Sequence, residues 1–263
     1  MLAFFWAATM FSVVALPAAL AHLSPRLVQA GALEGEAQGP KGQPLPFGVE
    51  ELDRLLPDGG LLRGGVVELS IAGSGLGTTL ALGAVRAFQE QRAASFGGSR
   101  KPWCAFVDPS GTLYAPGVAA SGVALDRLLV VRPDVEAIGR VALKLAESAV
   151  FDLVVVDLLG TLGRPLELSL ARFGRVVRRL AMAVDGTDKS VLLLTDALTP
   201  RALPLPVAQR IELTRPTAGR LLVRVAKDRR GRITMQRPIA WTRGSSVSEE
   251  VAEEDTANVR QLA

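Results

Sequence analysis

The chain is poor in the residues on which many catalytic sites depend. Its 263 residues include one cysteine, Cys104, and one histidine, His22. A lone cysteine excludes an intramolecular disulfide, and together with a lone histidine it excludes the usual zinc sites and a Ser/His/Asp triad within the domain. Cys104 lies in the apolar run CAFVD, which is typical of a buried, unreactive thiol. No metal site is therefore predicted.

The net charge of +4 is unevenly distributed along the chain. Between Arg215 and Arg243 nine Arg or Lys residues face one acid, Asp228, whereas the last twenty residues carry five acids against Arg260. The basic segment either binds phosphate groups or acidic proteins, or is a solvated face. The acidic segment, residues 244–263, is predicted to be a disordered tail; shielding of the basic segment and docking on a partner are the alternatives.

The first 21 residues carry no charged side chain and end in Ala19-Leu20-Ala21, a small-x-small pattern. A signal-like segment, a packed helix and a wrongly chosen start codon all remain open. No Lys or Arg precedes the apolar run, Pro17 interrupts it, and the segments that follow are typical of a cytoplasmic fold. We therefore expect a cytoplasmic protein without a membrane role, in which residues 22–45 form a linker and residues 46–243 form the main domain.

Within residues 46–243 strand-like and helix-like segments alternate. FDLVVVDLL and SVLLLTD are runs of aliphatic residues typical of strands buried on both faces, and residues 138–149 show helical spacing of apolar positions. This order predicts an α/β fold with a doubly wound, mainly parallel sheet flanked by helices. The segment GRLLVRVAKDRRGRITMQR alternates with a period of two around DRRG, which predicts a C-terminal antiparallel hairpin.

The segment IAGSGLGTTLAL, residues 71–82, has the form of a phosphate-binding loop that lacks its lysine. Gly73, Gly75 and Gly77 are followed by Thr78 and Thr79, where the P-loop pattern requires Lys and then Ser or Thr. Backbone amides of such a turn can still hold a phosphate weakly. The alternative is a plain strand-to-helix turn in which the glycines serve packing.

Several blocks, in their order and spacing, resemble the ATPase core of RecA recombinases over about residues 46–240. They are GVEELDRLLPDGGLLRGGVVELSIAGSGLGTTLAL, CAFVDPSGTLYAPGVAASGVALDRLLVVRPD and VALKLAESAVFDLVVVDLLGTL. Within that superfamily, YAPGVAASGVALDRLLVVRP and the eroded loop most resemble ImuA, whose members include SulA-like proteins. The resemblance implies a RecA-like fold and a role in SOS-induced translesion synthesis and DNA repair, with RecA and the polymerase-like ImuB as partners.

The same resemblance implies that the chain is a pseudo-ATPase. Thr78 stands at the lysine of the family loop, Thr79 at the magnesium-binding hydroxyl, Ser110 at the water-activating glutamate, Asp157 at the Walker B aspartate, and Asp196 at a glutamine that senses the terminal phosphate. A missing lysine charge about 4 Å from a phosphate removes on the order of 4 kcal/mol. No catalytic residue and no cofactor are therefore predicted, while weak binding of phosphate or of ATP with magnesium stays open.

Basic residues in two places are the predicted contacts to DNA or a partner. Lys227 and Arg229 in VRVAKDRRG match a basic pair that, in RecA, reaches the nucleotide site of a neighbouring protomer, which implies that this chain donates them to RecA. Few aromatic residues, 5%, accompany these charges for base stacking. An active DNA-dependent ATPase with a deviant P-loop and a DNA-binding accessory module are the alternative functions. The predicted contacts to DNA or a partner are Arg172, Arg175, Arg178, Arg179, Lys227, Arg229, Arg230 and Arg232.

Overall fold

The computed structural model describes residues 44–72, 76–95, 102–161, 166, 170–198, 204–217 and 219–241. The side chains of residues 92–95 and 170–172 are not among those described. The predicted segments 1–21 and 244–263 and most of the linker 22–45 therefore lie outside the described residues, as do Gly73, Gly75 and the side chain of Arg172.

Strands and helices alternate along the chain, as the aliphatic runs predict. The elements are α1 Glu50–Leu55, β1 Gly65–Ala72, α2 Leu76–Ser95, β2 Trp103–Val107, α3 Ala115–Ala120, β3 Leu128–Val131, α4 Ile138–Glu147, β4 Phe151–Asp157, α5 Leu170–Val184, β5 Ser190–Asp196, β6 Gln209–Thr217, β7 Arg220–Asp228 and β8 Arg237–Ala240. Short 3-10 turns, Leu125–Arg127 and Val135–Ala137, precede β3 and α4.

The strands form one sheet of eight in the order β3-β2-β4-β5-β1-β6-β7-β8. The first six strands are mutually parallel, and β7 and β8 are antiparallel to their neighbours. Helices cover the parallel part, because parallel strands need crossover connections that place helices on the sheet faces. The structure thus confirms the predicted α/β class with a mainly parallel sheet flanked by helices.

Alternation of side chains along the strands produces two apolar layers. Val67, Leu69 and Ile71 of β1 belong to the core cluster beneath α1, α2 and α3. On the opposite face α4 and α5 lie side by side, and a Cβ added at Gly139 would lie 2.8 Å from Val176. Cys104 is fully buried and unpaired, and burial raises the pKa of its thiol, as the apolar run CAFVD predicts.

The C-terminal hairpin is confirmed, but its second strand starts later than its sequence predicts. Strand β7 turns at Asp228–Gly231 and pairs with β8 only from Arg237, so GRITMQ lies outside a strand. Thr234 nevertheless satisfies the backbone of Val225 in β7. Its N–H donates to the Val225 carbonyl at 3.0 Å, and its hydroxyl accepts the Val225 N–H at 2.9 Å. Strand β7 also pairs with β6, which makes a three-stranded meander.

In the described part of the chain, no helix is both long enough and apolar enough to cross a membrane. All described residues lie within one compact unit, Gln38–Ala263.

Candidate functional site

Three aspartates lie at the carboxyl edge of the parallel strands. Asp108 follows β2, Asp157 ends β4 and Asp196 ends β5, and these strands are direct neighbours in the sheet. Because the carboxyl ends of parallel strands meet at one edge, this edge is where α/β folds bind ligands. The three aspartates have the wrong sign for a phosphate, and the guanidinium of Arg132, which follows β3 at this edge, is bonded to Asp108.

Asp157 is a buried carboxyl group with 3% of its surface exposed. Its Oδ1 accepts the Leu159 N–H at 2.9 Å. Burial raises the pKa of Asp157 to about 6, the hydrogen bond from Leu159 opposes the rise, and the nearby charge of Asp108 adds to it. A carboxyl group in this setting holds a proton more readily than an exposed aspartate does.

Asp108 organises the loop that follows β2. Its Oδ1 accepts the Thr112 N–H at 2.9 Å and the Thr112 hydroxyl at 3.1 Å, and its Oδ2 accepts the Leu113 N–H at 3.1 Å and Arg132 Nε at 3.3 Å. Arg132 also donates to the Leu113 carbonyl at 3.0 Å. This structural role of Asp108 was not predicted, although an aspartate directly after the buried CAFV run was a signal for it. Ser110, at the family's glutamate position, is half-buried in the same loop.

Gly77, the last glycine of the loop, packs tightly against aliphatic side chains. A Cβ added at Gly77 would lie 2.6 Å from Ile71 Cδ1 and 2.6 Å from Leu159 Cδ1, closer than packed carbon atoms approach. Gly77 is therefore required by packing at the start of α2, whatever the turn binds. Thr78 is half-buried and Thr79 is exposed in the first turn of α2.

The described residues at this edge do not fit a magnesium–triphosphate group. Thr78 supplies no positive charge where the family loop has a lysine, and the acidic Asp196 stands where the family has an uncharged glutamine. Within the described ranges no group of three or more His, Cys, Asp or Glu side chains is placed to hold a metal ion. We derive no reaction step through such a group.

Helix α5 presents arginines to solvent. Arg175, Arg178 and Arg179 are exposed, while Phe173, Val177, Leu180 and Val184 on the other side of the helix are buried against the sheet. This is the face that helical spacing predicts.

Arg232, one of the predicted contacts, is engaged within the molecule. Its guanidinium donates to both carboxylate oxygens of Asp58, at 2.8 and 2.7 Å, and to both oxygens of Asp228, at 3.2 and 3.0 Å. Arg230 Nη1 donates to the same Asp58 at 3.4 Å. The hydrogen bond from Arg232 is the main reason why the pKa of Asp58 is lowered. These contacts join the hairpin turn to Asp58 in the segment after α1. Nothing in the sequence indicated that Asp58 is a partner of Arg232.

Lys227 and Arg229 are exposed on either side of Asp228. Strand β6 is parallel to β1 and begins at Gln209, which pairs with Asp228 of β7. The turn that carries Lys227 and Arg229 therefore lies at the amino edge of the parallel strands, opposite the edge that carries Asp157. The predicted nucleotide-type site around Asp157 and the predicted basic pair, Lys227 and Arg229, thus lie at opposite edges of the sheet.

A polar cluster that the sequence analysis missed lies inside the sheet. Glu68 of β1 is fully buried, its Oε1 accepts the Thr195 hydroxyl at 2.7 Å, and its Oε2 accepts Arg210 Nε at 2.7 Å. These bonds join β5, β1 and β6. A buried ion pair of this kind adds little net stability, because removing both charges from water offsets their attraction.

Comparisons with known proteins place this geometry in a family. Residues 17–171 match the family described as RecA N-terminal domain. The chain is 36% identical over 172 residues to protein RecA of Lactococcus lactis subsp. cremoris, covering 61% of this chain and 42% of that protein. Protein RecA of Oceanobacillus iheyensis is 38% identical over 127 residues, which cover 47% of this chain and 33% of that protein. The chain thus spans less than half the length of these relatives.

Among solved structures, the RadB recombinase is similar in fold. It superposes with a TM-score of 0.56 at 18% sequence identity, covering 76% of this chain and 96% of that one. The RecA-like part of the predicted fold is thereby confirmed.

Proposed function

The chain belongs to the RecA N-terminal domain family, and from this premise we propose that it is a RecA-like accessory protein without ATPase activity. It acts in the cytoplasm in SOS-induced translesion DNA synthesis and DNA repair, as ImuA-type proteins do. Its partners are RecA and an ImuB-type polymerase-like protein. The ImuA-like phrase YAPGVAASGVALDRLLVVRP supports this choice within the family.

The chemistry of the carboxyl edge supports the loss of ATP hydrolysis. Phosphoryl transfer needs positive charge on the phosphates and an oriented water. Thr78 supplies no positive charge for the phosphates, and Ser110 supplies no carboxylate to orient the attacking water.

One observation carries the proposed contact with RecA: the nucleotide-type edge and the basic turn lie at opposite edges of the same sheet. Lys227 and Arg229 are exposed, and the register of β6 and β7 places them away from this chain's own glycine turn. They are therefore available to a second molecule and not to their own site. Such a chain can bind to one RecA molecule through these cations. It offers no working nucleotide site to the next RecA molecule, and it therefore stops growth of a RecA filament at that end.

Charge reversal tests this contact. The double variant Lys227→Glu, Arg229→Glu should lose the ability to slow extension of RecA filaments on single-stranded DNA, measured by fluorescence of labelled RecA. The matched control Arg178→Glu, Arg179→Glu changes the charge by the same amount on α5 and should keep that ability. Equal inhibition by the wild type and the hairpin variant would overturn the proposal.

The exposed arginines of α5 favour a second candidate, a DNA-binding accessory module. Arg175, Arg178 and Arg179 lie on one solvent face. Salt-dependent binding of DNA, combined with no affinity for RecA in the same buffer, would support this candidate over the first.

A further inference from the structure

The exposed side of the C-terminal meander carries a row of cations that none of the described helices covers. Arg220, Arg224 and Lys227 of β7 are exposed, whereas Leu221, Val223 and Val225 on the other side of the same strand are buried. Arg229 in the turn extends the row, whereas Arg237 of β8 pairs with Val223 and therefore lies on the other face. We call these four residues the basic ridge: Arg220, Arg224, Lys227 and Arg229.

Little of this charge is neutralised among the described residues. Arg224 forms an ion pair with Glu212, with Nη1 and Oε2 3.6 Å apart. Asp58 and Asp228, the carboxylates nearest the turn, are taken up by Arg232 and Arg230. No carboxylate of the described residues lies within ion-pair distance of Lys227 or Arg229.

The remainder of the chain carries the complementary charge. Strand β8 ends at Ala240, which pairs with Arg220 at one end of the ridge. Five acids follow, with Arg260 as the one basic residue among the last twenty: Glu249, Glu250, Glu253, Glu254 and Asp255.

The length of this segment suffices to reach the whole ridge. Lys227 lies seven residues along β7 from Arg220, which corresponds to about 23 Å of strand. The acids lie 9 to 15 residues beyond Ala240, and even nine extended residues span up to about 30 Å. A segment tethered this closely has an effective concentration of about 1 mM, so that weak, screened ion pairs suffice to hold it.

We propose that residues 249–255 of this chain occupy the basic ridge when no partner is bound. The acidic segment then acts as an internal competitor, and any polyanion or acidic partner must displace it before it reaches Lys227 and Arg229. This inference does not depend on the identity of that partner.

Zero-length cross-linking tests the contact directly, because the ridge contains a single lysine. The full-length protein is treated with a carbodiimide at about 20 mM salt, and the amide bonds between lysine and carboxylate side chains are mapped by mass spectrometry. We expect bonds from Lys227 to residues 249–255 within one molecule, and their loss at 0.5 M salt, where the Debye length is a few ångströms.

Lys144 is the internal control, since it is exposed on α4 outside the ridge. Lys227→Arg keeps the charge and should abolish only the cross-link, while full neutralisation of the five acids to Gln or Asn should tighten heparin binding about tenfold at low salt. Cross-links of equal yield at Lys144 and Lys227, cross-links only between molecules, or unchanged heparin affinity after neutralisation would each overturn the proposal.

Discussion

Replacing Asp157 by asparagine should stabilise the protein at neutral pH. The carboxyl group is 3% exposed, and burial, opposed by the Leu159 hydrogen bond and aided by the charge of Asp108, raises its pKa from 3.8 to about 6. A rise of this size corresponds to about 3 kcal/mol of unfolding free energy once the group is ionised. Asparagine has nearly the same volume and its oxygen can still accept the Leu159 N–H, so we expect a gain of about 1–3 kcal/mol at pH 7.5.

The pH dependence gives the sign of the effect. Because the folded state holds this proton more tightly than the unfolded chain, Asp157 costs no stability below about pH 4, and the cost grows as pH rises through about 6. Urea denaturation followed by circular dichroism should therefore show Asp157→Asn more stable than wild type at pH 7.5, with a clearly smaller gain at pH 4.5.

Asp108→Asn is the matched control at the neighbouring strand end. Asp108 accepts four hydrogen bonds, two on each oxygen, and an amide nitrogen cannot accept those from Leu113 and Arg132. This variant should lose about 1–3 kcal/mol at pH 7.5. The reasoning is refuted if Asp157→Asn is less stable than wild type at pH 7.5, or if its gain is the same at both pH values.

Three further predictions follow from packing and charge. Gly77→Ala should lower the unfolding free energy by about 1–3 kcal/mol because its methyl group would overlap two aliphatic side chains, whereas Gly174→Ala, whose Cβ would lie 3.9 Å from Pro206, should not destabilise; urea denaturation compares them. Arg232→Gln should lower the urea midpoint at pH 7, and the difference should shrink as the pH falls below 3.8 and through the lowered pKa of Asp58. Arg179→Gln should lower the slope of log affinity against log salt for DNA by about 1 if α5 contacts phosphates, as fluorescence anisotropy measures.

The sequence predicted the fold well because the strands are buried on both faces. LVVV of β4 and LLL of β5 have no polar position, and such runs occur in parallel sheets covered by helices. The hairpin was predicted to continue directly after the turn, but β8 begins only at Arg237. The residues between them lie outside a strand, because the side chain of Thr234 takes over hydrogen bonding to β7.

The site was harder to predict because its decisive contacts join residues far apart in the chain. Asp157 was found from its match to the Walker B aspartate of the RecA family, but its neighbour Asp108 was not predicted. Arg232 was predicted as a contact to DNA or a partner, whereas its partner Asp58 lies 174 positions earlier. Sequence patterns report local spacing, and they do not report which carboxylate a long side chain reaches in the folded chain.

The central claim is that this RecA-like chain does not hydrolyse ATP. Phosphate release by the purified full-length protein, with magnesium, ATP and single-stranded DNA present, tests it most directly. We expect no release above that of a buffer blank, and no difference between wild type and Asp157→Asn. Turnover that requires single-stranded DNA and disappears in Asp157→Asn would contradict the account.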